Sequence, residues 1–127
     1  MAPLCRLADR LRRPHVSTGE QGEDRAHRWL RSQGFVVVAR NWRPPQGGGE
    51  IDIVAWERDV LVFVEVKTRL SDLSAPERAI SEDKMRALRR AARDYVRRAC
   101  PEHPSVRFDV ITVAQGQLEH LREAFRL

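Results

Sequence analysis

Glu65 and Lys67 stand two residues apart inside Val60–Arg69, the most strongly strand-like run of the chain. Residues i and i+2 of a strand share a face, so both charges point the same way, while Val60, Val62, Val64, Val66 and Thr68 take the other face. Asp52 lies in the preceding run, where Ile51, Ile53 and Ala55 alternate with Glu50, Asp52 and Val54. Charges at half-buried strand positions cost on the order of several kcal/mol unless they are paired or bind a metal. A hairpin loop of four residues, Glu57–Val60, sets Trp56 opposite Leu61, Asp52 opposite Glu65 and Glu50 opposite Lys67. A three-residue loop would oppose Asp52 to Val64, so the first register is the one expected. Two facing carboxylates repel unless a cation sits between them. Carboxylate oxygens suit Mg²⁺ or Mn²⁺ rather than Zn²⁺. A lysine beside such an ion can orient a water and offset charge growing on a phosphate oxygen. The set reads as metal-assisted hydrolysis of a phosphodiester. A plain cross-strand salt bridge among Glu50, Asp52, Glu65 and Lys67 is the alternative.

The elements that must position these side chains are legible on either side. Ser17 and Glu20 form a capping box, so a helix starts near Thr18; Ala26, Trp29, Leu30 and Gln33 line one side, and Gly34 stops it. Phe35–Trp42 is β-branched and aromatic and reads as a strand. Pro44, Pro45 and Gly47–Gly49 form a loop, and Ser71–Pro76 another. Ser81 caps a long helix opened by Glu82 and Asp83, with Met85, Leu88, Ala92, Tyr95, Val96 and Ala99 as its apolar positions and Pro101 beyond its end. Val106–Val113 is a further strand, and Leu118–Leu127 is expected as a short amphipathic helix. The order α-β-β-β-α-β-α predicts an α/β fold with a mixed sheet of four to five strands flanked by helices.

The chain has 127 residues, enough for one domain and one core. Residues 1–16 read as a basic N-terminal arm, and 17–127 as a single domain. Hydrophobic residues are 42% and charged residues 32%, which excludes a disordered chain. No apolar run is long enough to span a bilayer, and the basic N-terminus lacks the apolar stretch of a secretory signal, so a cytoplasmic protein without membrane contact is expected. Cys5 and Cys100 are too few for a thiolate metal site and are weak grounds for a disulfide. A net charge of +5 favours a polyanionic partner, nucleic acid before membrane.

Asp52 followed by Glu65-Val66-Lys67 resembles the PD-(D/E)xK nuclease signature in a loose form. Most of the chain, from about 17 to 127, resembles a bacterial family of uncharacterised YraN-like endonucleases. The likeness runs through Gly22-Glu23-Asp24, Ala39-Arg40-Asn41-Trp42-Arg43, Gly49 to Ala55, Val62 to Arg69, Arg107-Phe108-Asp109-Val110 and Ala124-Phe125. It implies a restriction-endonuclease-like fold, similar also to archaeal Holliday-junction resolvases. It implies Asp52 and Glu65 as ligands of Mg²⁺ (or Mn²⁺), the Val66 carbonyl as a third, and Lys67 as the residue that positions or activates water. Glu23 takes the place of a first-helix glutamate that joins the metal site in the resolvases; a carboxylate stabilising the first helical turn is its plain reading.

For phosphate contacts the candidates are Arg43, Arg69 and Lys84, with Gly48 in a glycine loop whose amides can approach a polyanion. Asp109 is either an outer partner of the site or the partner of Arg107 or Arg69. The four histidines have no metal-ligand spacing, and Trp29, Trp42 and Trp56 read as core or rim aromatics. The basic run of the second long helix reads as a solvated face. These residues and the resemblance together imply a hydrolase, an endonuclease acting on DNA rather than RNA; the likeness to junction resolvases, not the residues themselves, implies selectivity for branched or junction DNA in repair or recombination. A catalytically silent nucleic-acid-binding module of the same fold is the alternative, and an interaction protein with an acidic partner is the third. A homodimer and a separate protein partner both stay open.

Overall fold

The computed structural model describes residues 18–69 and 80–127. The basic arm, the Ser17 cap and the Ser71–Pro76 loop lie outside the described residues. The elements are α1 (Thr18–Ser32), β1 (Val36–Trp42), β2 (Ile51–Glu57), β3 (Val60–Arg69), α2 (Glu82–Ala99), β4 (Ser105–Ala114) and β5 (Gln117–Phe125). The strands form one sheet in chain order, β1 to β5. β3 and β4 are parallel, joined through α2, and the other three pairings are antiparallel. The fold is therefore α/β with a mixed five-stranded sheet.

Each helix covers one face of the sheet. Leu88, Ala92 and Tyr95 of α2 pack on Trp42, Val54, Trp56, Leu61, Phe63 and Phe108. Ala26 and Leu30 of α1 pack on Ile53, Ala55, Val62, Val64 and Ile111. The alternation of β3 explains the division, since odd positions face α2 and even positions face α1. Gln33 is exposed and leaves the apolar side of α1 to Ala26, Leu30 and the half-buried Trp29. Gly34, at φ +94, ends α1 in the left-handed conformation that a side chain disfavours. Gly22 meets the side chain of Thr68 so closely that a Cβ there would collide with its hydroxyl. Glycine thus sets how near α1 comes to the end of β3.

The last element differs from expectation: Leu118–Leu127 is not a helix, and the chain ends in strand β5. Leu118, Leu121 and Phe125 have the three-and-four spacing of a helical stripe, but a bulge opposite Phe108–Val110, with Glu123 at φ +51, produces it in a strand. The bulge turns Phe125 to the α2 face, where it stacks on Phe108 with ring centroids 4.5 Å apart, while Leu118 packs on the α1 face. Gln115 and Gly116 at φ 47 and 81 make the tight hairpin turn into β5. The order is accordingly α-β-β-β-α-β-β.

Candidate active site

β2 and β3 pair in the register expected from the four-residue loop, Trp56 opposite Leu61 and Glu57 opposite Val60. Their ladder stops at Ile53–Val64, whereas β3 stays paired with β4 as far as Arg69–Ala114. The sheet therefore forks after Val64, and the charged segment of β3 enters the fork. Asp52 stands at its mouth, and its Oδ2 accepts the Val66 N–H at 2.8 Å. A side chain thus takes over where the backbone ladder ends, which fixes Asp52 against the Glu65-Val66-Lys67 segment.

Four carboxylates gather here from three elements and the loop before β2. Asn41 lies on β1 at φ +53, and its Nδ2 donates to Glu23 Oε1 and to Glu50 Oε2, each at 2.9 Å. One amide thus ties α1 to the segment that carries Asp52. Lys84, in the first turn of α2, reaches Glu65 Oε2 at 3.5 Å. Its turn is fixed by Ser81, whose side chain accepts the Lys84 N–H at 3.1 Å.

The electrostatics follow from this crowding. Burial, then the Glu65 charge, pushes the Asp52 carboxyl up to about 8, against the pull of the Val66 hydrogen bond, with Glu23 and Glu50 adding to the rise. Burial also raises Glu65, although Lys84 and Lys67 oppose it. Lys67 is lowered, by burial first and then by Arg69 and Lys84. Glu65 Oε1 is buried and, among the described residues, has no hydrogen-bond partner. A buried carboxylate oxygen facing another acid without a donor is a place a cation would relieve. Among the described residues no three His, Cys, Asp or Glu side chains are gathered closely enough to hold a metal ion by themselves. Asp52 and Glu65 would need backbone or water oxygens to complete a shell.

Of the phosphate-contact candidates, Arg43 is exposed and pairs with Glu50 at 3.3 Å. Gly48 is exposed at φ +111 with open space where a Cβ would stand. Its neighbour Gly49 packs on Ala87, docking the loop on α2. Arg69 closes β3, and Lys84 is committed to Glu65 as well as to solvent.

Asp109 takes its plain reading, with Arg107 as partner. It accepts from Arg107 Nε at 2.8 Å and Nη2 at 3.0 Å, from the Glu123 N–H at 3.0 Å, and it holds His120 Nε2 at 2.8 Å. Trp29 Nε1 donates to His120 Nδ1 at 3.0 Å, so the ring carries its proton on Nε2 and donates to Asp109. The network continues through Arg107 to Glu57 and Arg122. Burial alone would raise Asp109, but the bonds from His120, Arg107 and Glu123 hold it below the usual carboxylate range. This network braces β4 and β5 against α1 rather than serving the fork.

Asn41 carries only a weak signal in the sequence, an Asn near the end of a valine-rich strand, where αL geometry favours that residue. His120 carried no signal, since its partners lie 11 and 91 positions away.

A mixed α/β sheet that forks around a half-buried carboxylate cluster with two lysines defines the class of this protein as an α/β domain with a candidate acid–lysine centre. The model of the Uncharacterised protein family UPF0102 matches residues 22–113, a span holding the four carboxylates and both lysines of the fork, and the chain belongs to that family. A UPF0102 protein from Solibacter usitatus (strain Ellin6076) is 54% identical over 128 residues, covering 96% of this chain and 97% of the relative. One from Koribacter versatilis (strain Ellin345) is 41% identical over 118 residues, with 89% and 82% covered. One from Rhodococcus opacus (strain B4) is 39% identical over 117 residues, with 87% and 98% covered. The family-level likeness read from the sequence therefore stands. Among the described residues no helix is long and apolar enough to cross a membrane.

Proposed function

We propose that the chain is a Mg²⁺- or Mn²⁺-dependent endonuclease of the restriction-endonuclease-like type, akin to Holliday-junction resolvases, that hydrolyses DNA phosphodiesters. The observation that carries the reading is the meeting of Asp52 and Glu65 in the fork, with one Glu65 oxygen buried and, among the described residues, without a hydrogen-bond partner. Asp52 and Glu65 would hold the cation, with the Val66 carbonyl next to them and Glu23 behind Asn41 as the outermost acid. The cation would supply a polarised water and a counter-charge for the phosphate. Lys67, its pKa lowered by burial and neighbouring cations, orients the attacking water and offsets charge on a non-bridging oxygen. The water oxygen forms a bond to phosphorus and gives up its proton to solvent as the P–O bond to the sugar breaks, and the departing alkoxide takes a proton from a solvent water. Arg43, Arg69, Lys84 and the Gly48 amide bind the flanking phosphates.

The purified protein offered branched, single-stranded and duplex DNA with Mg²⁺ or Mn²⁺ should cleave at least one of them. Cleavage should vanish with EDTA and in Asp52→Asn and Lys67→Ala. The ion pair between Lys84 and Glu65 favours a second reading, in which lysine neutralises the acid permanently and the domain binds nucleic acid without chemistry. Unaltered binding with no cleavage of any substrate would select it.

A further inference from the structure

We infer that the outer face of α2 is a second DNA-binding surface, a stripe of arginines that grips a duplex backbone beside the fork. α2 buries Leu88, Ala91, Ala92, Tyr95 and Ala99 against the sheet. At 100° per residue, Arg86, Arg90, Arg93 and Arg97 project from the opposite side, within roughly a 60° arc. All four are exposed. They span 11 residues, about 16 Å of helix axis. A duplex strand presents one phosphate per about 3.4 Å of its axis, so a backbone laid along α2 offers each arginine a phosphate.

The distribution of acids separates this stripe from an ordinary solvated face. Arg86 pairs with Asp83, and Arg97 shares Asp94 with Arg98. Arg89 is drawn sideways to the Arg126 carbonyl and the Phe125 ring. Arg90 and Arg93, at the centre of the stripe, have no carboxylate or other partner among the described residues. Among the described residues, the acids of α2 pair the ends of the stripe and leave its two central guanidinium groups unpaired. The occupant is read from the same residues. The stripe carries no aromatic or aliphatic side chain that could enter a lipid interface, which argues against a membrane. Its charges lie in one straight row suited to a repeating polyanion. Two residues before Arg86, Lys84 touches Glu65, so a backbone held on the stripe passes the N-terminus of α2 next to the fork.

The surface contributes affinity, not bond cleavage, and deepens the nuclease reading without depending on its metal. The test is fluorescence anisotropy of a labelled duplex with the full chain and with Arg90→Ala/Arg93→Ala, across a salt series. The variant should bind more weakly, and the slope of log affinity against log salt should drop by about two. Arg28→Ala, which removes an exposed arginine of α1 on the other face of the sheet, should keep the parent slope. An unchanged slope in the arginine variant overturns the proposal. So does equal loss of binding to vesicles containing anionic lipid or to an acidic peptide. If the stripe fails while metal-dependent cleavage persists, the nuclease reading survives it. If cleavage is absent while the slope falls as expected, the stripe stands alone.

Discussion

Replacing Asp52 by Asn should make the metal-free protein more stable. The Asp52 carboxyl titrates at about 8 in the fold against 3.8 for the unperturbed group, with burial as the first cause and Glu65 as the second. The unfolded chain gives up this proton near pH 4, and the folded one keeps it until about 8. The folded state therefore binds more protons in that window, and stability falls as pH rises through it, by about 1.4 kcal/mol per pH unit. The whole window sets an upper bound of roughly 6 kcal/mol, and sharing of the burden with Glu65 brings the net effect to about 1–3 kcal/mol. Asn keeps an oxygen for the Val66 N–H and removes the charge. At pH 8.5 in EDTA its melting temperature should exceed the parent's by several degrees, at about 3–6 °C per kcal/mol for a chain of this size. At pH 5 the gain should shrink. Thermal and urea unfolding at the two pH values measure it. A variant less stable at pH 8.5, or equally stabilised at both, would refute the reasoning. Millimolar Mn²⁺ should invert the ranking, since a cation held by Asp52 and Glu65 stabilises only the parent.

Other outcomes follow from the same geometry. Gly22→Ala should destabilise by about 1–3 kcal/mol through collision with Thr68, and Thr68→Ala in the same chain should restore part of the loss in a double-mutant cycle. Asp109→Asn should cost about 3–5 kcal/mol in urea unfolding, because Arg107 and His120 lose a buried partner. Asp109 is held low, so its stabilisation is complete above the unfolded carboxylate pKa and disappears as pH falls through its lower folded value. With Asp52 acting in the opposite sense, the metal-free protein should be most stable near pH 4–5 in a pH series of unfolding curves. Lys67→Ala should lower cleavage by on the order of 10²–10³ in single-turnover assays while DNA affinity changes little.

Much of the fork was legible because strand alternation is a strict rule. Glu65 and Lys67 at i and i+2, with Val66 between them, forced a charged face onto an apolar strand, and the loop length alone gave the register of Asp52. Both long helices were marked by their caps and stops, Ser81 and Gly34. What escaped was the role of residues that act across the fold. Nothing local in the sequence says that Asn41 bridges Glu23 and Glu50, or that Trp29, 91 positions away, sets the His120 tautomer. The helix expected at Leu118–Leu127 failed for a physical reason: a bulge lets one strand feed both cores, and its apolar spacing then mimics 3.6 periodicity.

The central claim is that Asp52 and Glu65 cradle a hard cation beside Lys67. Anomalous scattering from crystals soaked in Mn²⁺ tests it most directly. A peak is expected about 2.0–2.4 Å from an oxygen of each carboxylate, abolished in Asp52→Asn. A fork with Lys84 still seated on Glu65 and no peak between the two acids would contradict it.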